Sequence, residues 1–167
     1  MPDHRHYMQL ALAEARKSPP KPTNFCVGAV LVDSIRDEVL STGYTLELEG
    51  NTHAEQCALQ KFAQKYHRPV AEIGQFLPPG TVLYTTMEPC ALRLSGNLPC
   101  VDRILQTRDG GAEGVRTVYT GVHEPEKFVG ENRGRSQLEE HGVECVHISG
   151  LEDEILQVAQ AGHEREA

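Results

Sequence analysis

The sequence predicts an α/β fold: one domain over residues 1–167, built as a three-layer α/β/α sandwich around a mixed five-stranded sheet. Three observations carry that expectation. Five short runs are rich in β-branched and apolar residues, helical periodicity precedes or separates them, and after the first two runs strand and helix alternate. A hairpin followed by βαβ units requires parallel pairing with right-handed crossovers and puts helices on both faces of the sheet. At 167 residues, 39% hydrophobic and 24% charged, the chain is long enough to enclose a core and has the composition of a folded globular protein.

Over residues 3–17, Tyr7, Met8, Leu10, Ala11, Leu12 and Ala15 recur at helical spacing; Asp3 is placed to cap the start and SPPKP to stop the helix. FCVGAVLVD, residues 25–33, is nearly continuous in apolar residues, the pattern of a strand covered on both faces. EVLSTGYT follows the turn-like DSIRDE and completes a hairpin. Residues 52–66 are strong helix formers with Ala54, Cys57, Ala58, Phe62 and Ala63 on one stripe. After the proline-marked HRPVAEIGQFLPPG comes the strand TVLYTT, and MEPCALRLSGNLPCVDRILQ holds a proline-initiated segment, a Gly-Asn turn and a short helix. The strand VRTVYTG, a loop through EPEKFVGENRG, a helix over 135–141, the strand VECVHI and a helix over 151–161 complete the order.

Charge narrows the partners. Sixteen Lys and Arg against 24 Asp and Glu leave a net −8, which supplies no overall positive field for nucleic acid or anionic membrane. The N-terminal segment MPDHRHYMQLALAEARK flanks a short apolar stretch with charge, the pattern of neither a signal peptide nor a membrane span, and a cytoplasmic protein is expected. Five cysteines without a secretion signal point to core thiols, metal ligands or a reactive thiol rather than a disulfide framework. Cys26, Cys57 and Cys145 fall on apolar faces of expected strands or a helix and read as core residues.

The remaining two cysteines follow prolines, Pro89-Cys90 and Pro99-Cys100, and His53-Ala54-Glu55 opens the second helix. One imidazole and two thiolates suit zinc, and three protein ligands leave the fourth tetrahedral position for water, the arrangement of a catalytic site. Glu55, two residues from His53, is placed to reach that water without being a ligand. The pattern matches the H-x-E…P-C-x-x-C signature of zinc nucleobase deaminases, except that residues 91–99 separate the two cysteines where the signature has two residues. The longer loop must bulge and return, and Gly96, Asn97 and Pro99 supply turn chemistry for it.

HAEQCAL, YTTMEPC and the proline-preceded second cysteine resemble the cytidine-deaminase superfamily. TNFCVGAVLV, MEPCALRLSGNLPC and EPEKFVGENRG resemble more narrowly its riboflavin-biosynthesis pyrimidine deaminases, the fungal type in particular, over about residues 3–162. The resemblance implies a cytidine-deaminase-like fold and one zinc held by His53, Cys90 and Cys100. It also implies Glu55 as the proton shuttle and Asn24 as a hydrogen-bonding partner of the substrate. It further implies a homodimer; the reductase domain that bacterial bifunctional relatives append is not expected, because 167 residues leave no room for it. Thr45 stands where bacterial relatives carry a substrate-contacting His, so the phosphate end of the substrate is expected to be held differently. Lys127, Arg133 and Arg135 offer cations for it, or a solvated loop.

The expected activity is zinc-dependent hydrolytic deamination of 2,5-diamino-6-ribitylamino (or ribosylamino)-4(3H)-pyrimidinone 5′-phosphate, a small pyrimidine nucleotide-like substrate. Two rivals stand beside it. One is another deaminase of the superfamily, acting on cytosine, cytidine or dCMP, or tRNA adenosine; the net charge weighs against tRNA. The other is a non-catalytic domain in which zinc only locks the fold, which calls for a fourth protein ligand.

Overall fold

The computed structural model describes residues 3–22, 24–90, 98–122 and 134–163. The chain opens with helix α1, His4–Ala15, whose start is capped by the Asp3 carboxylate accepting from the His6 amide at 3.1 Å. Strands β1, Gly28–Asp33, and β2, Glu38–Tyr44, form the expected hairpin. Its turn is fastened by the Asp33 carboxylate, which accepts from the amides of Ile35 and Arg36 at 3.0 Å each. Then follow α2, Ala54–Lys65, a 3-10 helix at Val70–Phe76, and β3, Thr81–Met87. The described order ends with α3, Cys100–Gln106, β4, Thr117–Val122, α4, Gly134–Glu140, β5, Glu144–His147, and α5, Glu152–Ala159.

The sheet runs β2-β1-β3-β4-β5. β1 is antiparallel to both neighbours, and β3, β4 and β5 are parallel. This is the mixed five-stranded sheet expected of the hairpin-plus-βαβ pattern. β1 and β3 are buried along their whole length, whereas β2 and β5 are partly exposed. The unbroken apolar runs therefore belong to central strands, and the polar ones to the edges. α1 packs against β1, β3 and α5 on one face, and α2, α3 and α4 line the other, giving the three layers.

Two glycines set how closely the helices lie on the sheet. A Cβ on Gly28 would stand 1.8 Å from the Ala11 carbonyl oxygen of α1, and one on Gly43 would stand 2.2 Å from the Ala54 carbonyl oxygen of α2. Only glycine admits backbone at that distance. Gly43 pairs with Ala29, and Ala29 with Thr85, so small and polar side chains form a row under the start of α2.

The proline-marked segment before β3 contains one element that its sequence hides, the 3-10 helix whose Ile73 is fully buried. A 3-10 turn has no 3.6-residue repeat to betray it. The expected strand at 25–33 becomes regular only at Gly28, because the Cys26 amide is drawn to the carbonyl of Ala159 at the end of α5 instead. Among the described residues no helix is long and apolar enough to cross a membrane.

Candidate active site

The polar cluster sits at the carboxyl ends of β2 and β3, where α/β sheets open to ligands. β2 leads through a short connection into α2. His53 is its N-cap residue, in extended conformation, with its amide donating to Gln56 Oε1 at 3.3 Å. Glu55 follows in the first helical turn, where the helix dipole favours an anion. β3 ends at Met87, and Cys90 comes three residues later, 6% exposed. Cys100 is fully buried as the first residue of α3, with Pro99 as its extended N-cap.

These placements bring His53, Cys90 and Cys100 together, with one donor atom from each lying within 4.8 Å of the others. His53 Nδ1 is 3.6 Å from Cys90 Sγ and 3.5 Å from Cys100 Sγ. Tetrahedral zinc with Zn–N near 2.05 Å and Zn–S near 2.3 Å requires nitrogen–sulfur edges of about 3.6 Å. The donor set therefore fits a zinc ion in both chemistry and spacing. Two bonds hold the start of α3 against Cys90: the Cys100 amide donates to Cys90 Sγ at 3.3 Å and the Val101 amide to the Cys90 carbonyl at 3.1 Å. The expected turn residues Gly96 and Asn97 lie outside the described residues.

The electrostatics favour a thiolate. The hydrogen bond with the Cys100 side chain pulls the Cys90 thiol down to about 4; His53 and the Cys100 amide add to this, against the burial that raises it. Glu55 is shifted the other way. Burial pushes its carboxyl above the ordinary range, opposed by His53 and by a hydrogen bond from Thr85. The Thr85 hydroxyl donates to Glu55 Oε1 at 2.7 Å, both groups being almost wholly buried. The arrangement thus combines three donors that could hold a metal ion with a buried carboxyl group.

Thr85 is a residue that the sequence reading passed over. The signal was a pair of adjacent threonines, Thr85 and Thr86, in a fully buried central strand. Its neighbour Thr86 faces the other way and accepts from the Gly28 amide at 3.1 Å, so the paired threonines divide between two layers.

Cys57, one helical turn beyond His53, is fully buried and lies outside the donor cluster. Cys26 is buried too. Cys145 departs from the core position expected for it. It lies on the edge strand β5 and is only partly covered, with burial pushing its thiol up to about 11. Asn24 is half-buried in a bridge with Lys21, and its carbonyl lies 2.9 Å from His163 Nε2. It precedes β1 at the sheet end where β3 terminates, the end that carries the cluster. Thr45 is buried, its hydroxyl accepting from the Val27 amide at 3.0 Å, so it serves the backbone. Lys127 and Arg133 lie outside the described residues, whereas Arg135 pairs with Glu139 at 2.7 Å.

The sequence profile described as the cytidine and deoxycytidylate deaminase zinc-binding region matches residues 1–112. A diaminohydroxyphosphoribosylamino-pyrimidine deaminase of Schizosaccharomyces pombe is 38% identical over 161 residues, 96% of this chain; the chain spans 36% of that protein's length. A tRNA-specific adenosine deaminase of Agrobacterium fabrum is 32% identical over 126 residues, covering 75% of this chain and 69% of that protein. Among solved structures, the Aspergillus oryzae Rib2 deaminase superposes with a TM-score of 0.88 at 49% identity, over 96% of this chain and 92% of that one. The same deaminase in complex with DARIPP superposes with a TM-score of 0.86 at 47% identity, with the same coverage of both chains.

Proposed function

The chain belongs to the cytidine and deoxycytidylate deaminase zinc-binding family, and from that premise we propose that it hydrolyses the exocyclic amine from 2,5-diamino-6-ribitylamino (or ribosylamino)-4(3H)-pyrimidinone 5′-phosphate in riboflavin biosynthesis. The observation that carries the reading is the joint placement of a three-donor metal pocket and the buried carboxyl of Glu55. The likeness to the Aspergillus oryzae deaminase, whose structure holds DARIPP, supports a diaminopyrimidine phosphate over a simple cytidine. The likeness to the Schizosaccharomyces pombe protein points the same way.

His53, Cys90 and Cys100 would hold the zinc. When bound, zinc supplies a Lewis acid that brings the pKa of water towards about 7. Glu55 takes a proton from the attacking water and delivers it to a ring nitrogen as the water oxygen bonds to the amine-bearing carbon. The carboxylate then collects the second proton, from the new hydroxyl, and passes it to the leaving nitrogen; the carbon–nitrogen bond breaks, ammonia departs and a carbonyl remains. General acid–base catalysis of this kind contributes typically 10²–10⁴-fold. Burial of Glu55 suits the role, since it raises the carboxyl above its ordinary range and makes it a better proton acceptor than a solvated carboxylate. Asn24 is assigned to the substrate on the family resemblance, supported by its position at the same end of the sheet. The resemblance also supports a homodimer, which sedimentation equilibrium tests.

A tRNA-adenosine deaminase is the second reading, favoured by the Agrobacterium fabrum relative and disfavoured by a net charge of −8. An ammonia-release assay offering the diaminopyrimidine phosphates, cytosine, cytidine, dCMP and tRNA side by side separates them. Turnover of the diaminopyrimidine phosphates alone is expected, and turnover confined to cytidine compounds or tRNA overturns the assignment.

A further inference from the structure

We propose that Thr85 is a positioning residue for this reaction: its buried hydroxyl fixes the carboxylate of Glu55 in the orientation that proton transfer requires. The proposal rests on Glu55 being the proton carrier. The Thr85 hydroxyl lies 2.7 Å from Glu55 Oε1 and 2.8 Å from the carbonyl oxygen of Met87. A hydroxyl has one proton and two lone pairs. With Glu55 ionised, the Thr85 proton points to Oε1. With Glu55 protonated, its own O–H donates to Thr85 Oγ1, and the threonine proton turns to the Met87 carbonyl. The contact therefore survives both halves of the catalytic cycle, and the strand's backbone anchors it.

The surroundings make this contact the product of close packing. Gly43, Ala29 and Thr85 lie side by side on neighbouring strands. Gly43 lets the first turn of α2 settle on the sheet, where an added Cβ would meet Ala54 and Ala58 backbone at 2.2 and 2.6 Å. From that turn the Glu55 side chain reaches the central strand β3, and a bond to one carboxylate oxygen leaves the other for the reacting atoms. The donor cluster consists of His53, Cys90 and Cys100, and the side-chain contact of Thr85 is with Glu55, so its contribution acts through Glu55.

The test compares Thr85→Val, which keeps shape and strand preference but removes the hydroxyl, with Thr85→Ser, which keeps the hydroxyl. For Thr85→Val, kcat is expected to fall by about 10²-fold, the cost typical of an ångström-scale misplacement. KM, zinc content and Tm are expected to stay near wild type. Thr85→Ser is expected to restore most of kcat. In crystal structures of wild type and Thr85→Val, the Glu55 carboxylate is expected to occupy different orientations. Wild-type kcat in Thr85→Val overturns the proposal, and so does joint loss of kcat and Tm in both variants. A Glu55 carboxylate unmoved in the Thr85→Val crystal overturns it as well. Should the wild-type protein deaminate no pyrimidine, it is the proposed function that fails, and the two crystal structures still decide the orientation of Glu55.

Discussion

The backbone amide of Cys100 donates to the sulfur of Cys90 across 3.3 Å. The residue that opens α3 thus supplies one sulfur donor and steadies the other, although the two are separated by residues 91–99. The side-chain hydrogen bond with Cys100 first, then His53 and this amide, pull the Cys90 thiol down to about 4 against the burial that raises it.

A pH dependence of metal retention follows. A thiol whose folded pKa is depressed from 9.0 to about 4 is already a thiolate at neutral pH, so it surrenders no proton to bind zinc there. Zinc should be retained at pH 7 and released as the pH falls to about 4 or below. In the metal-free protein the same group contributes stability that is full above pH 9 and lost as pH falls through about 4. Elemental analysis after dialysis across this range checks the first point; complete release already near neutrality contradicts it.

Replacement of the cysteines one by one should divide them. Cys100→Ala is expected to lose zinc. Cys57→Ala, at a fully buried position outside the donor cluster, should keep it and cost about 1 kcal/mol of stability. Metal content and urea unfolding of the two variants provide the check, and zinc retained by Cys100→Ala would refute its role as a ligand.

Gly43→Ala tests the route by which α2 reaches the site. The added methyl would stand 2.2 Å from the Ala54 carbonyl oxygen and 2.6 Å from the Ala58 nitrogen, both backbone atoms. Overpacking of this kind costs about 1–3 kcal/mol. The shift displaces the turn that carries Glu55, so ammonia release should fall more than stability does. Wild-type turnover and unfolding midpoint in this variant would contradict the packing argument.

On the opposite face, the Tyr7 hydroxyl donates to the Asp37 carboxylate at 2.5 Å, tying α1 to the β1–β2 turn. Burial first, and Asp37 second, push the tyrosine up from 10.0 to about 12. A tyrosine raised in the folded state contributes stability that is complete below pH 10 and lost as pH rises through about 12. Thermal melts across that range should show a steeper alkaline decline in wild type than in Tyr7→Phe; parallel profiles would contradict the linkage.

The sequence made much of this legible, and physical reasons mark where it stopped. His53 and Glu55 could be read because one helical turn carries both. Cys90 could be read because Pro-Cys follows a strand. Cys100 needed the second Pro-Cys, since a long detour leaves no helical spacing to count. Thr85 escaped because its partner is 30 positions away, and sequence does not say which of two adjacent threonines faces which helix. Cys145 looked like core because VECVHI is apolar, yet an edge strand is covered on fewer sides. The 3-10 helix over Val70–Phe76 lacks the periodicity by which helices are recognised.

In the proposed reaction one zinc pocket and one buried carboxyl act together on a diaminopyrimidine phosphate. The most direct measurement is ammonia release from that substrate by wild type and Glu55→Gln, each with its zinc content determined. One zinc per chain is expected in both proteins, with a rate at least about 10²-fold lower in the variant. Equal rates, or a folded wild-type protein that binds no zinc, would contradict it.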